Sequence, residues 1–485
     1  MAAATTAAVL TVLAIVSQDQ TALRAAPSSS AATHAQLWSG ELLEVRGRRL
    51  DHLQVYDHRL ERAGYIRTSQ ARLLDLRETE APQLLTVARF LRDTPGAESL
   101  GIAYVAAYLK AAPAAQIDAE PFDALGVMAE RLALRAGARQ VSSATLTGQL
   151  EVAAQYGVKF TSYERNGTIQ LCYDGEAFRR IAAMAAQRAT PEQRARAALA
   201  LTRHECLDPA LRQHERQVQD RWRATVLDAL EPAAVSQLDE LTRNRLRLRR
   251  AGVWAAIAFG QARRAEAPQA AAQRAIDELA AVNKTELGDE AAGDYTDAAL
   301  RVGAVRWAAV PSAPSGLPVT VVSRATLQVQ LQAGEPGQTC VRLLDATRKD
   351  AAALAERCTY ATVWAASANV RPDGRALALA VQPVEGWTEL WLWRQTAEGW
   401  VLDVLPPMAA QPGLGYVELA GWAPPAQDRL LLVREARSEG RVTRRFEVLR
   451  TDTLVTEKSA GTAQALAVFT HWADPAWRTG SVSLR

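Results

Sequence analysis

The alternation of apolar and polar positions divides the chain into three regimes. From residue 20 to about 76, short apolar runs alternate with polar residues. They are Leu42-Leu43-Glu44-Val45, Leu53-Gln54-Val55-Tyr56 and, after the turn at Arg62-Ala63-Gly64, the run ending Tyr65-Ile66-Arg67. A period of two bounded by turn formers predicts strands. From 81 to about 310 the period becomes helical. Leu100, Tyr104, Tyr108 and Leu109 recur at helical spacing behind Thr94-Pro95. Thr190-Pro191-Glu192-Gln193 is a capping box. Further helices are predicted over about 211–230, 233–261 and 268–282. Within this region Lys159-Phe160-Thr161 and Thr168–Tyr173 flank Asn166-Gly167, the signature of a hairpin insertion. No fixed-period repeat is present, so an irregular helical bundle and a short solenoid both stay open.

A linker rich in proline and serine at 311–317 ends the helical stretch, and strand periodicity returns over 318–485. Val319–Val322 and Leu327–Leu331 read as strands. Trp387, Glu389, Trp391 and Trp393 share one face of another, with Thr388, Leu390 and Leu392 on the opposite face. A strand apolar on both sides is expected to be covered on both. The chain of 485 residues is long enough for roughly two to four domains, and the fold class expected is multidomain α+β.

Ala7–Val16 is an apolar stretch too short to span a bilayer. It predicts a signal peptide over 1–19, cleaved on export, although no basic segment precedes it. A buried N-terminal strand or helix is the alternative. No cysteine follows the stretch, which argues against a lipid anchor, and no later segment is apolar enough to predict stable membrane insertion. The four cysteines form two local pairs, Cys172 with Cys206 and Cys340 with Cys358. In an exported, periplasmic chain these are expected as disulfides; four buried thiols are the alternative.

Apolar residues make up 48% of the chain and charged residues 22%, with a net charge of +3, so no global charge argues for nucleic acid. Only five of the 56 basic residues are lysine, a coding bias rather than phosphate recognition. Arg243, Arg245, Arg247, Arg249 and Arg250 fall on several faces of one predicted helix, as expected of a solvated face with intrahelical pairs.

Four features between 20 and 76, in order, resemble a bacterial SH3-like domain. They are Thr21-Ala22-Leu23-Arg24-Ala25-Ala26-Pro27, Gly40-Glu41-Leu42-Leu43-Glu44-Val45, the strand Leu53–Tyr56, and Gly64-Tyr65-Ile66 running to Ser69-Gln70. The resemblance implies a small β-barrel that binds cell-wall peptides, glycans or proteins through an aromatic groove. Trp38, Tyr56 and Tyr65 are the candidate groove residues; a spacer barrel with Tyr65 in its core is the alternative. In the C-terminal region, Val370-Arg371-Pro372-Asp373-Gly374-Arg375 between two strands resembles the inner hairpin of WD40-like propeller blades. Gly421-Trp422-Ala423-Pro424-Pro425 is a looser copy. A propeller-like domain and a β-sandwich both fit about 170 residues. Eight tryptophans lie at Trp364 and beyond; Trp472 and Trp477 are candidates for a contact patch.

Catalytic signals are sparse. His204, Glu205, Cys206 and His214 form the densest group of potential ligands, without metal-site spacing. His52 and His58 read as surface residues. No nucleophile elbow, phosphate loop or dinucleotide fingerprint occurs. The sequence therefore predicts no catalytic residue, cofactor or metal. It predicts a scaffold of the cell envelope whose partner is peptidoglycan or an envelope protein. A wall hydrolase with its cleft in the helical region is the rival reading.

Overall fold

The computed structural model describes residues 12–138, 143–165, 168–310, 319–324, 326–348, 352–409, 412–438 and 440–482. The Asn166-Gly167 turn and the 311–317 linker lie outside these. Two compact units make up the chain: Met1–Leu211 with Val226–Leu238, and Arg212–Thr225 with Asp239–Arg485. The division falls inside the helical stretch predicted over 81–310.

The first unit opens with seven strands: β1 (Val12–Val16), β2 (Thr21–Arg24), β3 (Thr33–Leu37), β4 (Leu42–Arg49), β5 (His52–Asp57), β6 (Arg62–Arg67) and β7 (Ala71–Leu74). They form one antiparallel sheet in the order β3-β2-β6-β5-β4-β1-β7. β1 runs from Val12 opposite Val45 to Ile15 opposite Leu42, and pairs with β7 on its other side. Ala14 and Val16 enter one core with Leu23, Leu37, Leu43, Leu53, Val55 and Ile66. Ile15 enters a second core with Leu74 and the helices that follow, and Leu13 packs against it. A strand covered on both faces must be apolar at every position, a pattern that equally fits the centre of a leader. Of the segment expected as a signal peptide over 1–19, Val12–Val16 is an interior strand of this sheet, and cutting after residue 19 would remove it. The earlier part of the apolar stretch, 7–11, lies outside the described residues.

Helices α1 (Ala81–Arg92), α2 (Glu98–Ala111), α3 (Glu120–Gly137) and α4 (Ser143–Gln155) supply the rest of that second core, including Leu84, Ile102, Val105, Met128 and Leu132. A hairpin of β8 (Phe160–Arg165) and β9 (Thr168–Tyr173) follows, then α5 (Glu176–Ala183) and α6 (Pro191–Leu201). The capping box opens α6: Thr190 N–H donates to Gln193 Oε1 at 2.9 Å, and Gln193 N–H to Thr190 Oγ1 at 3.3 Å. Cys172 at the end of the hairpin is bonded to Cys206. The next helix, α7 (Gln213–Asp228), contributes to both units. The single helix expected over 233–261 is two, α8 (Pro232–Gln237) and α9 (Glu240–Arg263). Asp239 is extended between them (ψ 158°) and its side chain caps α9 through Thr242 N–H, as an N-cap aspartate does.

In the second unit, α9 packs with α10 (Gln269–Ala280) and α11 (Asp289–Val305). Twelve strands follow in three sets of four: β10 (Val319–Arg324), β11 (Leu327–Ala333), β12 (Thr339–Asp345) and β13 (Ala355–Thr359); β14 (Thr362–Val370), β15 (Ala376–Val384), β16 (Trp387–Thr396) and β17 (Gly399–Leu405); β18 (Leu414–Trp422), β19 (Arg429–Ser438), β20 (Arg441–Arg450) and β21 (Thr456–Ala460). Each set is an antiparallel meander, every strand pairing with the next. A short parallel contact between β16 and β18 joins the second and third sets. β16 is covered on both sides, as its pattern predicts. Trp391 and Trp393 pack with Leu327, Val329, Val341 and Leu343 of the first set. Leu390 and Leu392 pack with Val417, Leu430 and Leu432 of the third. Gly374 takes the positive φ (72°) that its turn demands. From the same turn, Arg371 Nη2 donates to Asp428 Oδ1 at 2.8 Å and to Pro425 O at 3.2 Å, tying the two related hairpin turns together. Cys340 and Cys358 sit directly opposite on β12 and β13 and are bonded. Helices α12 (Ala467–Trp472) and α13 (Pro475–Gly480) end the described chain.

Candidate functional site

The five aromatic candidates separate by environment. Tyr56 and Tyr65 stand on the outward face of the first sheet. On β5, Leu53 and Val55 point into the core, so His52, Gln54 and Tyr56 point away from it. On β6, Ile66 points inward and Tyr65 outward. Tyr65 lies opposite Gln54, and Tyr56 opposite Ala63, so the two rings are diagonal neighbours within reach of one bound chain. The Arg46 guanidinium lies 3.9 Å from the centroid of Tyr56, and the His58 ring stands edge-on to Tyr56 at 4.9 Å. Arg46 Nε donates to Glu44 Oε1 at 3.3 Å, and His58 Nε2 lies 2.6 Å from Glu44 Oε2. These two hydrogen bonds hold the Glu44 carboxyl below the usual carboxylate range. Arg49 and Arg67 flank the face at either side of His52. His58 is a surface residue, whereas His52 is buried and its Nδ1 sits 2.7 Å from Asp51 Oδ1. That corrects the surface reading of His52, since it sits in mid-sheet with neighbours on both sides.

Trp38 is not part of this face. Its indole lies against α4, where a Cβ added at Gly148 would fall 2.3 Å from the ring. Only a glycine permits that approach. Around it runs a polar network joining the sheet to the helices. Ser39 donates from N–H (3.0 Å) and Oγ (2.6 Å) to Asp19 Oδ1, and Gln149 Nε2 donates to Asp19 Oδ2 at 3.0 Å. Fully buried Glu98 is held by Arg131, at 2.5 Å, and by Arg135. Beside this network, Glu41 is 2% exposed and pairs with Arg59 at 3.3 Å. Burial outweighs the arginine and pushes its pKa up to about 7.

Trp472 and Trp477 close the second unit. Trp477 is buried among Ala420, Val433, Phe446 and Phe469, with Trp472 packed alongside. Its Nε1–H donates to Glu418 Oε1 at 2.8 Å. Glu418 also accepts from Ser481 Oγ at 2.6 Å and pairs with Arg306 at 2.6 Å. A contact patch at Trp477 is thus replaced by core: the last two helices fold back over β18–β20 and bury the ring. Beneath lies a cavity lined by Trp307, Ser367, Asn369 and Glu418, of about 20 Å³, room for one water.

Among the described residues, one set of potential metal donors converges, Cys340, Glu356 and Cys358, and its two sulfurs are joined to each other. Cys206, which the sequence sets beside His204, Glu205 and His214, is likewise bonded, to Cys172. In the arginine run, Arg243 pairs with Glu240 within α9, and Arg250 with Glu278 of α10. No described helix is long and apolar enough to cross a membrane. Comparison with protein-family models, with curated proteins and with solved structures finds no match.

Proposed function

We propose that this is an exported, periplasmic scaffold of the cell envelope, which tethers peptidoglycan or an envelope protein through the outward face of its first sheet. The observation that carries this reading is the pair Tyr56 and Tyr65, diagonal neighbours on the outward face of the sheet and members of no hydrophobic core among the described residues, with Arg46 stacked on one ring. Aromatic rings presented with a cation suit polar chains with apolar faces, whether sugars or peptides. The SH3-like order of sequence features supports the same surface. Two disulfides are compatible with an oxidising compartment. On this reading the three meanders are blades of an incomplete propeller, whose place for further blades is taken by α11, α12 and α13, and this domain holds a second protein.

Co-sedimentation of the full chain with purified peptidoglycan tests the proposal. The protein is expected to pellet, and Tyr56→Ala with Tyr65→Ala to release it about tenfold or more while leaving the thermal midpoint within a few degrees. Failure to pellet removes the wall as partner. Lysis of the wall by the protein would replace the scaffold by a hydrolase.

A further inference from the structure

The outward face of β4, β5 and β6 carries hydrogen-bond donors that the fold leaves uncommitted. Arg46 uses only Nε, towards Glu44; among the described residues its two terminal amino groups have no partner. Arg49 and Arg67 form no ion pair among the described residues, and both are exposed. The Tyr56 and Tyr65 hydroxyls and the Gln54 amide, between these arginines, make no hydrogen bond among the described residues either. Elsewhere in the same unit arginines are spent on the fold, as in Arg89 with Glu120 or Arg131 and Arg135 with Glu98. The register fixes the spacing: Arg49 and Arg67 flank His52 on one cross-strand row, and Gln54 faces Tyr65 on the next. Neighbouring rows on one face are about 6.5–7 Å apart, which is the repeat of same-side residues in an extended chain.

We propose that this face docks an extended, acidic peptide segment of a protein partner, with carboxylates taken by Arg46, Arg49 and Arg67 and the chain laid over Tyr56 and Tyr65. The inference rests on the binding role proposed for this sheet and names the chemistry of its partner. Stacking on Tyr56 and the bond to Glu44 preorient the Arg46 guanidinium, which lowers the entropy lost when it grips a carboxylate. The anions on the same face decide between a peptide and a uniform polyanion. Glu44 lies opposite Tyr56 on this face and Asp51 at its edge, in the turn beside His52, and their own hydrogen bonds favour the ionised form of both. A polymer with a negative charge on every unit meets them as repulsion. A peptide that alternates acidic with apolar residues places its charges on the arginines and its apolar groups on the rings.

The test is fluorescence anisotropy of the full chain with three labelled probes at low and at about 0.3 M salt. The probes are a ten-residue peptide alternating Glu and Val, the same peptide with Lys for Glu, and polyphosphate. The acidic peptide is expected to bind, to weaken with salt, and to lose at least about tenfold in affinity in Arg46→Gln/Arg67→Gln. Arg348→Gln, far along the sequence and exposed, is expected to leave it unchanged. Equal binding of the basic peptide, no binding of the acidic one, or indifference to Arg46→Gln/Arg67→Gln overturns the inference. Tighter binding of polyphosphate, lost in the same double variant, also overturns it and assigns the face to polyanions. If the acidic peptide fails while wall pelleting stays sensitive to Tyr56→Ala, the envelope-binding role stands and only the peptide chemistry falls.

Discussion

Single side chains divide into those whose direction follows from local alternation and those whose role comes from a distant neighbour. Tyr56 and Tyr65 belong to the first kind. Each alternates with an aliphatic residue along its strand, so an outward direction is legible in the sequence. The same alternation places His52 outward from the core, yet could not foretell that its strand neighbours would bury it. Trp38 and Trp477 belong to the second kind, because Gly148 and Glu418, which receive them, lie 110 and 59 residues away along the chain. Glu41 is the clearest such case. Its carboxyl takes up a proton near pH 7 in the folded protein, well above the 4.5 of an ordinary glutamate. Between those values the folded state binds more protons than the unfolded state, so stability falls as pH rises. The loss is complete above about 7, and amounts to roughly 3 kcal/mol. Glu41→Gln is expected to flatten the profile between pH 4.5 and 7.5 and to be the more stable protein at pH 8. Urea unfolding at several pH values measures this; an unchanged slope would mean that Glu41 stays ionised throughout.

At the scale of elements, β1 is where the pattern admits two readings. Five consecutive apolar residues near the start of a chain fit both a leader and a strand with cores on both faces. The same rule predicted the two-sided cover of β16, where alternate tryptophans and leucines marked two distinct faces. In Val12–Val16 every side chain is aliphatic, so nothing distinguishes the faces. The structure predicts that the mature protein keeps this segment. Intact-mass measurement of protein recovered from its native compartment should show Val12–Val16 present. A chain beginning at residue 20 should fail to unfold cooperatively, and Ile15→Asp should destabilise by several kcal/mol because it buries an unpaired charge. Cooperative folding of the chain beginning at 20 would support the cleaved-leader reading. By contrast, the cap of α6 was local and visible, since Thr190 and Gln193 are three residues apart; the equally local cap of α9, Asp239 with Thr242, goes unread inside the single helix expected there.

For the whole molecule, each disulfide closes a loop within one unit, spanning 34 residues in the first and 18 in the second. Loops of these lengths stabilise by about 3–4 kcal/mol through the unfolded chain. Replacing Cys172 and Cys206 by serine should therefore loosen the first unit while leaving hydrogen exchange in β14–β20 unchanged. Peptide-level hydrogen exchange with mass spectrometry reads both units at once. Faster exchange spread evenly over both would show that they unfold as one cooperative body. The pairing itself was predictable from cysteine spacing. The hairpin around Pro372–Gly374 was nearly so, since turn residues separate its two strands. The packing of the sets through Trp391 and Leu390 was not, because a strand does not specify which sheet will cover it.

The sequence alone determined where periodicity changes, where the capping box of α6 falls, which cysteines lie near each other, and which tyrosines alternate outward from their strands. These are local properties, set by the backbone geometry of a few neighbouring residues. Tertiary structure decided that Val12–Val16 is an interior strand and that Trp477 is core. It also decided that Gln149 on α4 reaches Asp19 in the turn between β1 and β2, and that Tyr56 and Tyr65 join no hydrophobic core among the described residues. An apolar pattern requires that a face be buried, but the burial free energy is non-directional. The partner that covers the face is selected by the fit of the whole chain.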